Sequence, residues 1–408
     1  MDLIEIRPEQ LYVGMLLRYT LRDEAGKVLL IKGQRIEAQG QLDAFKSRKN
    51  IFVELDANEE GVRAMMSGIS ALDQAGAPIK DFSKYLNVRK ITPQEEKNAG
   101  TLVQRWGDVE SKLGGLLASI DTAEDFESRI DAIDQTIASL LSQDETAGQF
   151  LLFNRSITHF GGYSVLHSLL CACLSHSLAR VFVLSEAHRR SLVCAALTMN
   201  VSMRNLQDQL ALQKSEPTVH QRRDIEQHAQ ASRALLIKAG VRDALWLDVV
   251  AMHHDNLDEA SDFNSWLPAQ RLSKILQTTD RYSAAMSPRK SRSGRTARDS
   301  VRTVVLKAGS TKHDEVGSAL VKLLGLCPPG TYVKLSNGET AVVVQRGIKP
   351  AEPLVASVLN KSDAPIAEPR LREMAREGLT IASTLVATSV RVNLNLESML
   401  RMIPRTAN

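Results

Sequence analysis

Apolar residues recur at three- and four-residue spacing from about residue 93 to residue 325, a pattern typical of amphipathic and buried helices. The early part of this stretch shows it in two groups: Trp106, Val109, Leu113, Leu116 and Leu117, then Ile130, Ile133, Ile137 and Leu140. The pattern stops at Pro328-Pro329-Gly330, and two alternating segments then flank Asn337-Gly338, which is a strong hairpin signal. The sequence therefore predicts a mainly α fold, a helical bundle with a short C-terminal β-hairpin.

The chain is too long, at 408 residues, to form one compact core, so we expect it to divide into domains. Residues 1–58 predict a small β-rich N-terminal module, because the short strands LLRYTL, KVLLIKG and NIFVEL surround a helical stretch, EAQGQLDAFKSRK. We predict a linker over 59–92, a helical connector over 93–149, the main helical domain over 150–365 and a C-terminal helical tail over 366–408.

Composition excludes several classes of function. The net charge is only +4 and aromatic residues make up 4% of the chain, so it lacks both the basic load and the stacking side chains of a nucleic-acid binder. The sequence contains no GxxxxGK[ST] phosphate loop, no GxSxG nucleophile elbow and no GxGxxG motif after a strand. We therefore expect no nucleic-acid partner and none of these three kinds of site.

Cysteine usage and the N-terminus indicate where the protein works. The four cysteines lie in apolar runs without a CxxC pair, which fits a reducing cytoplasm. The first residues lack the basic start and apolar stretch of a signal peptide. The most apolar segment, 164–184, contains His167, His176 and Arg180, which would be costly in lipid. We therefore expect a buried helix there, and a cytoplasmic protein without membrane insertion.

Five potential metal ligands follow one another along the predicted helices: His167, His228, His253, His254 and Asp280. Two adjacent histidines with a carboxylate about 25 residues later suit a divalent metal that accepts imidazole and carboxylate ligands. A histidine on an apolar helix is, however, also typical of a buried and hydrogen-bonded core residue. Taken alone, the pattern leaves both interpretations open.

The order and surroundings of these residues resemble the HD-GYP branch of the HD phosphohydrolases over about residues 150–358. No single match is specific, but together they occur in order and at suitable spacing. The matching segments are Tyr163-x-x-x-His167-Ser168, Glu226-x-His228, His253-His254-x-x-x-Asp258, Asp280-x-Tyr282-x-Ala284 with Arg289 and Arg292, and Pro329-Gly330-Thr331 before the hairpin.

This resemblance implies an HD-type helical bundle that hydrolyses cyclic di-GMP at a two-metal centre. It also implies that Arg289 and Arg292 meet the phosphates of the nucleotide, a task that suits the guanidinium fork. These two arginines belong to a basic stretch, 287–302, which is equally typical of a solvated loop.

The sequence departs from the family at its defining positions. The metal-binding His-Asp pair of the family is replaced by Met199 and Asn200, and the Gly and Lys that follow are replaced by Ser202 and Met203. The Gly-Tyr-Pro signature is missing, and Tyr163 stands where some relatives carry a Glu for a third metal. These substitutions predict a degenerate active site.

Electrostatics explains why these replacements matter. Two divalent cations about 3.5–4 Å apart repel by roughly 17 kcal/mol at an effective dielectric constant of about 20. Anionic bridging ligands offset this repulsion, whereas Asn200 offers a neutral amide and Met199 a soft thioether. A two-metal centre is therefore not expected. One ion can still bind to three imidazoles and leave a position open for water.

Three hypotheses about function follow. The first is a catalytically impaired homologue of cyclic di-GMP phosphodiesterases, without bound metal or with a weakly bound ion, that acts in signalling by binding cyclic di-GMP, another nucleotide or a protein. The second is a residual phosphohydrolase with one divalent ion (Fe, Mn or Zn) on His228, His253 and His254, assisted by Asp280 and His167. The third is a protein-interaction scaffold that binds through its N-terminal module or helical connector. Homodimerisation is compatible with each of them.

Overall fold

A computed structural model gives the fold of the chain. It describes residues 100–159, 161–255, 263–291, 294–305, 314–349 and 351–404, together with residues 3–6, 11, 17, 20–23, 28–30, 34, 36, 39–46 and 51–54 of the N-terminal part. The predicted linker 59–92 and the candidate Arg292 lie outside the described residues. The chain forms two compact units, Met1–Gly100 and Thr101–Asn408.

The N-terminal unit contains a four-stranded antiparallel sheet and one helix. Its described elements are β1 (Leu3–Ile6), β2 (Thr20–Asp23), β3 (Val28–Leu30), α1 (Gln39–Lys46) and β4 (Ile51–Glu54). The strands lie in the order β1-β4-β2-β3. Ile36, Leu42, Phe45 and Ile51 belong to the small apolar core that the sheet and the helix share. The predicted β-rich module is confirmed, and it gains a first strand that the sequence did not predict.

The second unit begins with two helices whose apolar faces the periodicity predicted. These are α2 (Leu102–Ala118) and α3 (Phe126–Thr158). Thr101 caps α2 in a capping box with Gln104, and α3 is kinked at Asp144. The Oδ1 atom of Asp144 accepts a hydrogen bond from the backbone N–H of Ala147, 2.9 Å away, and so caps the second half of α3.

Eight further helices of eight or more residues complete the described part of the bundle. Their bounds are α4 (Tyr163–Val181), α5 (Glu186–Thr198), α6 (Arg204–Leu212), α7 (Val219–Lys238), α8 (Ala244–Met252), α9 (Pro268–Met286), α10 (Ala297–Val305) and α11 (Glu315–Leu324), with 3₁₀ turns at Val201–Met203 and Phe263–Ser265. The helix α4 is the only described one that is long and apolar enough to cross a membrane. Because 89% of its most apolar window is buried, α4 is the central helix of the bundle.

A five-stranded antiparallel sheet follows the bundle. Its strands are β5 (Tyr332–Leu335), β6 (Thr340–Gln345), β7 (Leu354–Leu359), β8 (Pro365–Arg372) and β9 (Ile381–Leu385), in the order β8-β7-β6-β5-β9. Short helices at Met374–Glu377 (α12) and Leu396–Arg401 (α13) and a 3₁₀ turn at Ala387–Ser389 complete the C-terminal part. Alternation places Val342 and Val344 in the bundle core, and Ala341 and Val343 in a second apolar cluster.

The mainly α fold and the hairpin around Asn337-Gly338 are confirmed, since β5 and β6 pair across that turn. The predicted helical tail over 366–408 is wrong. Two of its segments, β8 and β9, are the edge strands of the sheet, because β8 pairs with β7 and β9 pairs with β5. The predicted domain boundaries at 58, 92, 149 and 365 stay predictions, although the helices over 102–158 share one apolar core with the rest of the bundle.

Candidate metal centre

Three histidines meet where α7 approaches the end of α8. His228 lies on α7, and His253 and His254 follow α8 directly. Their potential ligand atoms lie within 4.8 Å of one another, and His228 and His253 are buried while His254 is exposed. The structure therefore brings together three of the five residues that the sequence singled out, with one imidazole open to solvent.

Two of these imidazoles are held in the same tautomer by the backbone. The Nδ1 atom of His228 lies 2.5 Å from the carbonyl oxygen of Ile225, and Nδ1 of His253 lies 2.6 Å from that of Val250. A carbonyl oxygen can only accept a hydrogen bond, so both Nδ1 atoms carry the proton. Each neutral imidazole consequently presents an unprotonated Nε2, which is the arrangement found for metal-binding histidines.

The two Nε2 atoms face each other at 3.2 Å. Without a cation between them, two lone pairs would point at one another in a buried place. Nitrogen ligands about 2.0–2.1 Å from a tetrahedral Zn²⁺ lie about 3.3 Å apart, close to the observed separation. The pair therefore fits a divalent ion without rearrangement.

Burial keeps these histidines neutral. It lowers the pKa of His253 to about 3, with a further lowering from the charge of His254. Burial also lowers the pKa of His228 below its usual value. At neutral pH a proton therefore competes poorly for either Nε2 atom, which leaves both available to a metal ion.

A second group lies between the helices α4 and α9. The Nε2 atom of His167 is 2.8 Å from Oδ1 of Asp280, and Cys171 Sγ lies 3.8 Å from the same nitrogen. Burial opposes the charged form of His167, but the neighbouring Cys171 sulfur and the hydrogen bond to Asp280 raise its pKa well above the usual value. Burial likewise opposes the Asp280 carboxylate, whereas the hydrogen bond and charge of His167 lower its pKa overall.

Asp280 connects the two groups electrostatically. After His167, the next influences that lower the pKa of its carboxyl group are the charges of His253 and His254. The carboxylate in turn favours the charged forms of His228 and His253. The structure thus gathers all five predicted ligand residues around one region of the bundle.

The positions at which the family resemblance implies a His-Asp pair lie beside this region. Met199 directly follows α5 and Asn200 directly precedes the next 3₁₀ turn, and both are buried, whereas Met203 is half-buried. In the same turn the Ser202 hydroxyl donates to the carbonyl oxygen of His228, 3.0 Å away. The segment that contains Met199, Asn200 and Ser202 is therefore packed directly against the helix that carries His228.

Arg289 is held in place by an aromatic ring. Its Cζ atom lies 5.2 Å from the ring centroid of Tyr163, and its Nη2 donates to the Tyr163 hydroxyl at 3.3 Å. Tyr163 in turn stacks on His167 with 5.8 Å between ring centroids and an interplanar angle of 8°. A column of three side chains thus leads from Arg289 to His167, which is bonded to Asp280.

An open cavity of about 240 Å³ lies beside this arginine. It is lined by Leu210, Ser215, Glu216, Pro217, Arg289 and Ser291. The Nε atom of Arg289 is buried and has no hydrogen-bond partner among the described residues. A buried donor without a partner is costly, so this edge of the guanidinium is suited to an anionic ligand or a water molecule.

Two features of the site were not recognised in the sequence. The first is Cys171, which lies one helical turn after His167 and therefore on the same face of α4, a spacing that is visible in the sequence. The second is the stack of Arg289 on Tyr163. Those residues are 126 positions apart, and only the packed fold brings them together.

Comparison with known proteins finds two that resemble this chain. No protein-family profile matches the chain. It is 25% identical over 231 residues to a cyclic di-GMP phosphodiesterase of Pseudomonas aeruginosa, an alignment that covers 56% of this chain and 53% of that protein. The chain therefore spans about half the length of this curated relative.

A solved structure from Bdellovibrio bacteriovorus, described as an HDG"Y"P protein, aligns with 79% of this chain and 99% of its own. The sequence identity is 12% and the TM-score is 0.43. The sequence match to the phosphodiesterase and the ordered motifs, which lie on a helical bundle followed by an antiparallel sheet, show that this chain is similar to HD-GYP proteins.

Proposed function

We propose that this chain is a catalytically impaired relative of cyclic di-GMP phosphodiesterases that binds one divalent ion through His228, His253 and His254 and binds an anionic nucleotide beside Arg289. The observation that carries the proposal is the pair of unprotonated Nε2 atoms of His228 and His253, which face each other at 3.2 Å. A divalent cation between the two nitrogens would account for the convergence of the lone pairs of these buried, neutral imidazoles.

The residues present fit such an ion. The two Nδ1 hydrogen bonds to backbone carbonyls orient the rings, and the exposed His254 offers a third imidazole. Fe, Mn and Zn all accept imidazole ligands. When bound, a divalent ion would supply a Lewis acid that polarises a phosphoryl oxygen or activates water.

Arg289 supports nucleotide binding. A guanidinium that is stacked on Tyr163 and bonded to its hydroxyl loses little further freedom when it meets a phosphate. The adjoining cavity, at about 240 Å³, lies below the range of about 300–1,000 Å³ for ligand pockets, so it fits part of a nucleotide. Glu216, which also lines the cavity, disfavours a second phosphate at this point.

Impaired catalysis follows from the neutral replacements. Met199 and Asn200 stand where the family resemblance implies a ligand and a bridging carboxylate, and both are buried in the segment whose Ser202 bonds to the carbonyl oxygen of His228. Asp280 then remains as the one carboxylate among the predicted metal ligands, and its Oδ1 is already bonded to His167. We therefore propose binding of cyclic di-GMP with slow hydrolysis or none. A cytoplasmic location, homodimerisation and a protein partner stay predictions.

Metal binding is tested by calorimetric titration of chelator-treated protein with Mn²⁺, Fe²⁺ and Zn²⁺. We expect His228→Ala to weaken metal binding by more than about 100-fold. The variant removes a ligand, and the loss of a ligand should cost more affinity than the loss of an outer-shell partner. His220→Ala is the matched control, since His220 is an exposed histidine on the same helix. Equal affinities in both variants would contradict the assignment.

Nucleotide binding is tested with cyclic di-GMP in the same preparations. Arg289→Ala should weaken binding about 10-fold or more, since a charge-assisted hydrogen bond contributes about 1.5–3 kcal/mol. Lys290→Ala removes the same charge from the exposed neighbouring residue and should have little effect. If the protein hydrolyses cyclic di-GMP rapidly and His253→Ala abolishes the reaction, the single-metal phosphohydrolase is favoured. If the protein binds neither metal nor nucleotide, the scaffold is favoured.

A further inference from the structure

We infer that His167, Cys171 and Asp280 form a second metal site, in which the Cys171 thiolate is a ligand and Zn²⁺ or another thiolate-binding ion is preferred. The inference goes beyond the three-histidine site because it concerns a different set of ligand atoms. It adds a cysteine at a position where the motif resemblance supplies no ligand, and it implies a softer class of metal.

The distances suit a tetrahedral ion. The three ligand atoms lie within 4.8 Å of one another. Sulfur about 2.3 Å and nitrogen about 2.0–2.1 Å from Zn²⁺ lie about 3.6 Å apart, and the observed separation of Cys171 Sγ from His167 Nε2 is 3.8 Å. The His167–Asp280 pair, at 2.8 Å, opens by about half an ångström when an ion replaces the shared proton.

Charge gives the second argument. The resemblance places a bridging carboxylate at Asn200, and its loss removes one negative charge from the centre. A thiolate at Cys171 restores that charge from a different helix, and with the Asp280 carboxylate it neutralises a divalent ion. The ion and its two anionic ligands together have no net charge, so the repulsion between this ion and a neighbouring cation is offset.

The chemistry of binding is simple ligand exchange. The metal–sulfur bond replaces the S–H bond of Cys171, and Nε2 of His167 gives up the proton that it shares with Asp280. Both protons leave to solvent, as happens generally when thiols and imidazoles bind metals. Because a thiolate is a soft ligand, the site favours Zn²⁺ over Mn²⁺, which prefers oxygen ligands.

Cys173 provides a matched control on the same helix. It is also fully buried, but it lies two residues from Cys171 and so points to another side of α4. Burial raises the pKa of the Cys173 thiol well above its usual value, which disfavours a thiolate there. A Cys173→Ser variant therefore changes a buried thiol without removing the proposed ligand.

The test is Co²⁺ absorption of the full chain. Thiolate ligation gives Co²⁺ an intense charge-transfer band in the near ultraviolet, which imidazole and carboxylate ligands do not produce. We expect this band in the wild-type protein and in Cys173→Ser. We expect the Cys171→Ser variant to lose both the band and one of the bound ions per chain. The variant His228→Ala should keep the band, since the proposed site does not use that residue.

Each outcome bears on the inference. Co²⁺ that binds with visible ligand-field absorption but without the charge-transfer band would overturn the Cys171 site and leave the three-histidine proposal intact. A band that persists in Cys171→Ser would overturn the inference, because another cysteine would then be the ligand. If Cys171→Ser fails to fold, the wild-type and Cys173→Ser spectra still decide. A chain that binds no Co²⁺ at all would contradict both sites.

Discussion

Burial of His253 makes the metal-free protein sensitive to acid. The pKa of this residue falls from 6.5 to about 3 on folding, mainly because burial disfavours the imidazolium. Between these values the unfolded chain carries a proton on His253 and the folded chain does not. Since the unfolded state binds more protons in this window, the free energy of unfolding decreases as the pH falls below 6.5.

The magnitude follows from the two pKa values. Integration between about pH 7.5 and pH 5.0 gives a loss of about 2 kcal/mol from His253 alone. Above the unfolded pKa of 6.5, the raised pKa of His167 acts in the opposite direction, because the folded chain holds a proton that the unfolded chain releases, and this contribution is common to the wild type and to a variant at His253. Asp280 has a lowered pKa, so its contribution is lost only at still lower pH.

The perturbation is His253→Gln, which keeps an amide donor for the carbonyl of Val250 and cannot titrate. Urea unfolding of chelator-treated protein at about pH 7.5 and pH 5.0 measures the effect. We expect the wild type to lose about 2 kcal/mol more than the variant between these conditions. Equal losses in the two proteins would refute the reasoning, because His253 would then not be neutral and buried.

Three further predictions concern stability and metal retention. Val183→Gly should stabilise the fold by about 0.5–1 kcal/mol in urea unfolding. Val183 is exposed and has a φ of 49°, and the strain of a β-branched residue in this conformation exceeds the entropic cost of a glycine there. Gly330→Ala should destabilise it by about 3 kcal/mol, because φ is 86° and an added Cβ would lie 2.6 Å from the carbonyl oxygen of Phe150. Met199→His combined with Asn200→Asp should raise the amount of divalent metal that survives dialysis, measured by elemental analysis, and no increase would contradict an accessible site beside His228.

Periodicity predicted the helical core because each helix shows its buried face in its own residues. Trp106, Leu113 and Ile130 recur at helical spacing and are all buried. The hairpin was predictable for the same reason, since Asn337-Gly338 specifies a tight turn locally. These elements carry their signal within short stretches of sequence.

The edge strands carried no such signal. Along Pro365–Arg372 the exposed residues do not alternate with buried ones, so period-two patterning is absent. This strand is stabilised by pairing with β7, and β9 by pairing with β5, which sequence patterning does not reveal. The first strand, Leu3–Ile6, is likewise defined by its pairing with β4, which sequence patterning does not reveal.

The candidate site, like the fold, could be predicted from the sequence only in part. The order of the histidines was visible, but their chemical state depends on contacts that form only in the fold. The carbonyl groups of Ile225 and Val250 fix the tautomers of His228 and His253, and Asp280 reaches His167 across 113 residues of sequence. Residue types therefore predicted which ligands were present, while packing decides how they are oriented.

The most direct test of the account is the number of ions that the Cys171→Ser protein retains. This variant silences the second site, so only the three imidazoles remain to hold a metal. After loading with Zn²⁺ and desalting, elemental analysis should find one ion per chain, and none when His228→Ala is added. The central claim that the buried imidazoles form a metal centre would be contradicted if Cys171→Ser retained no Zn²⁺ after this treatment. It would also be contradicted if adding His228→Ala left the metal content unchanged.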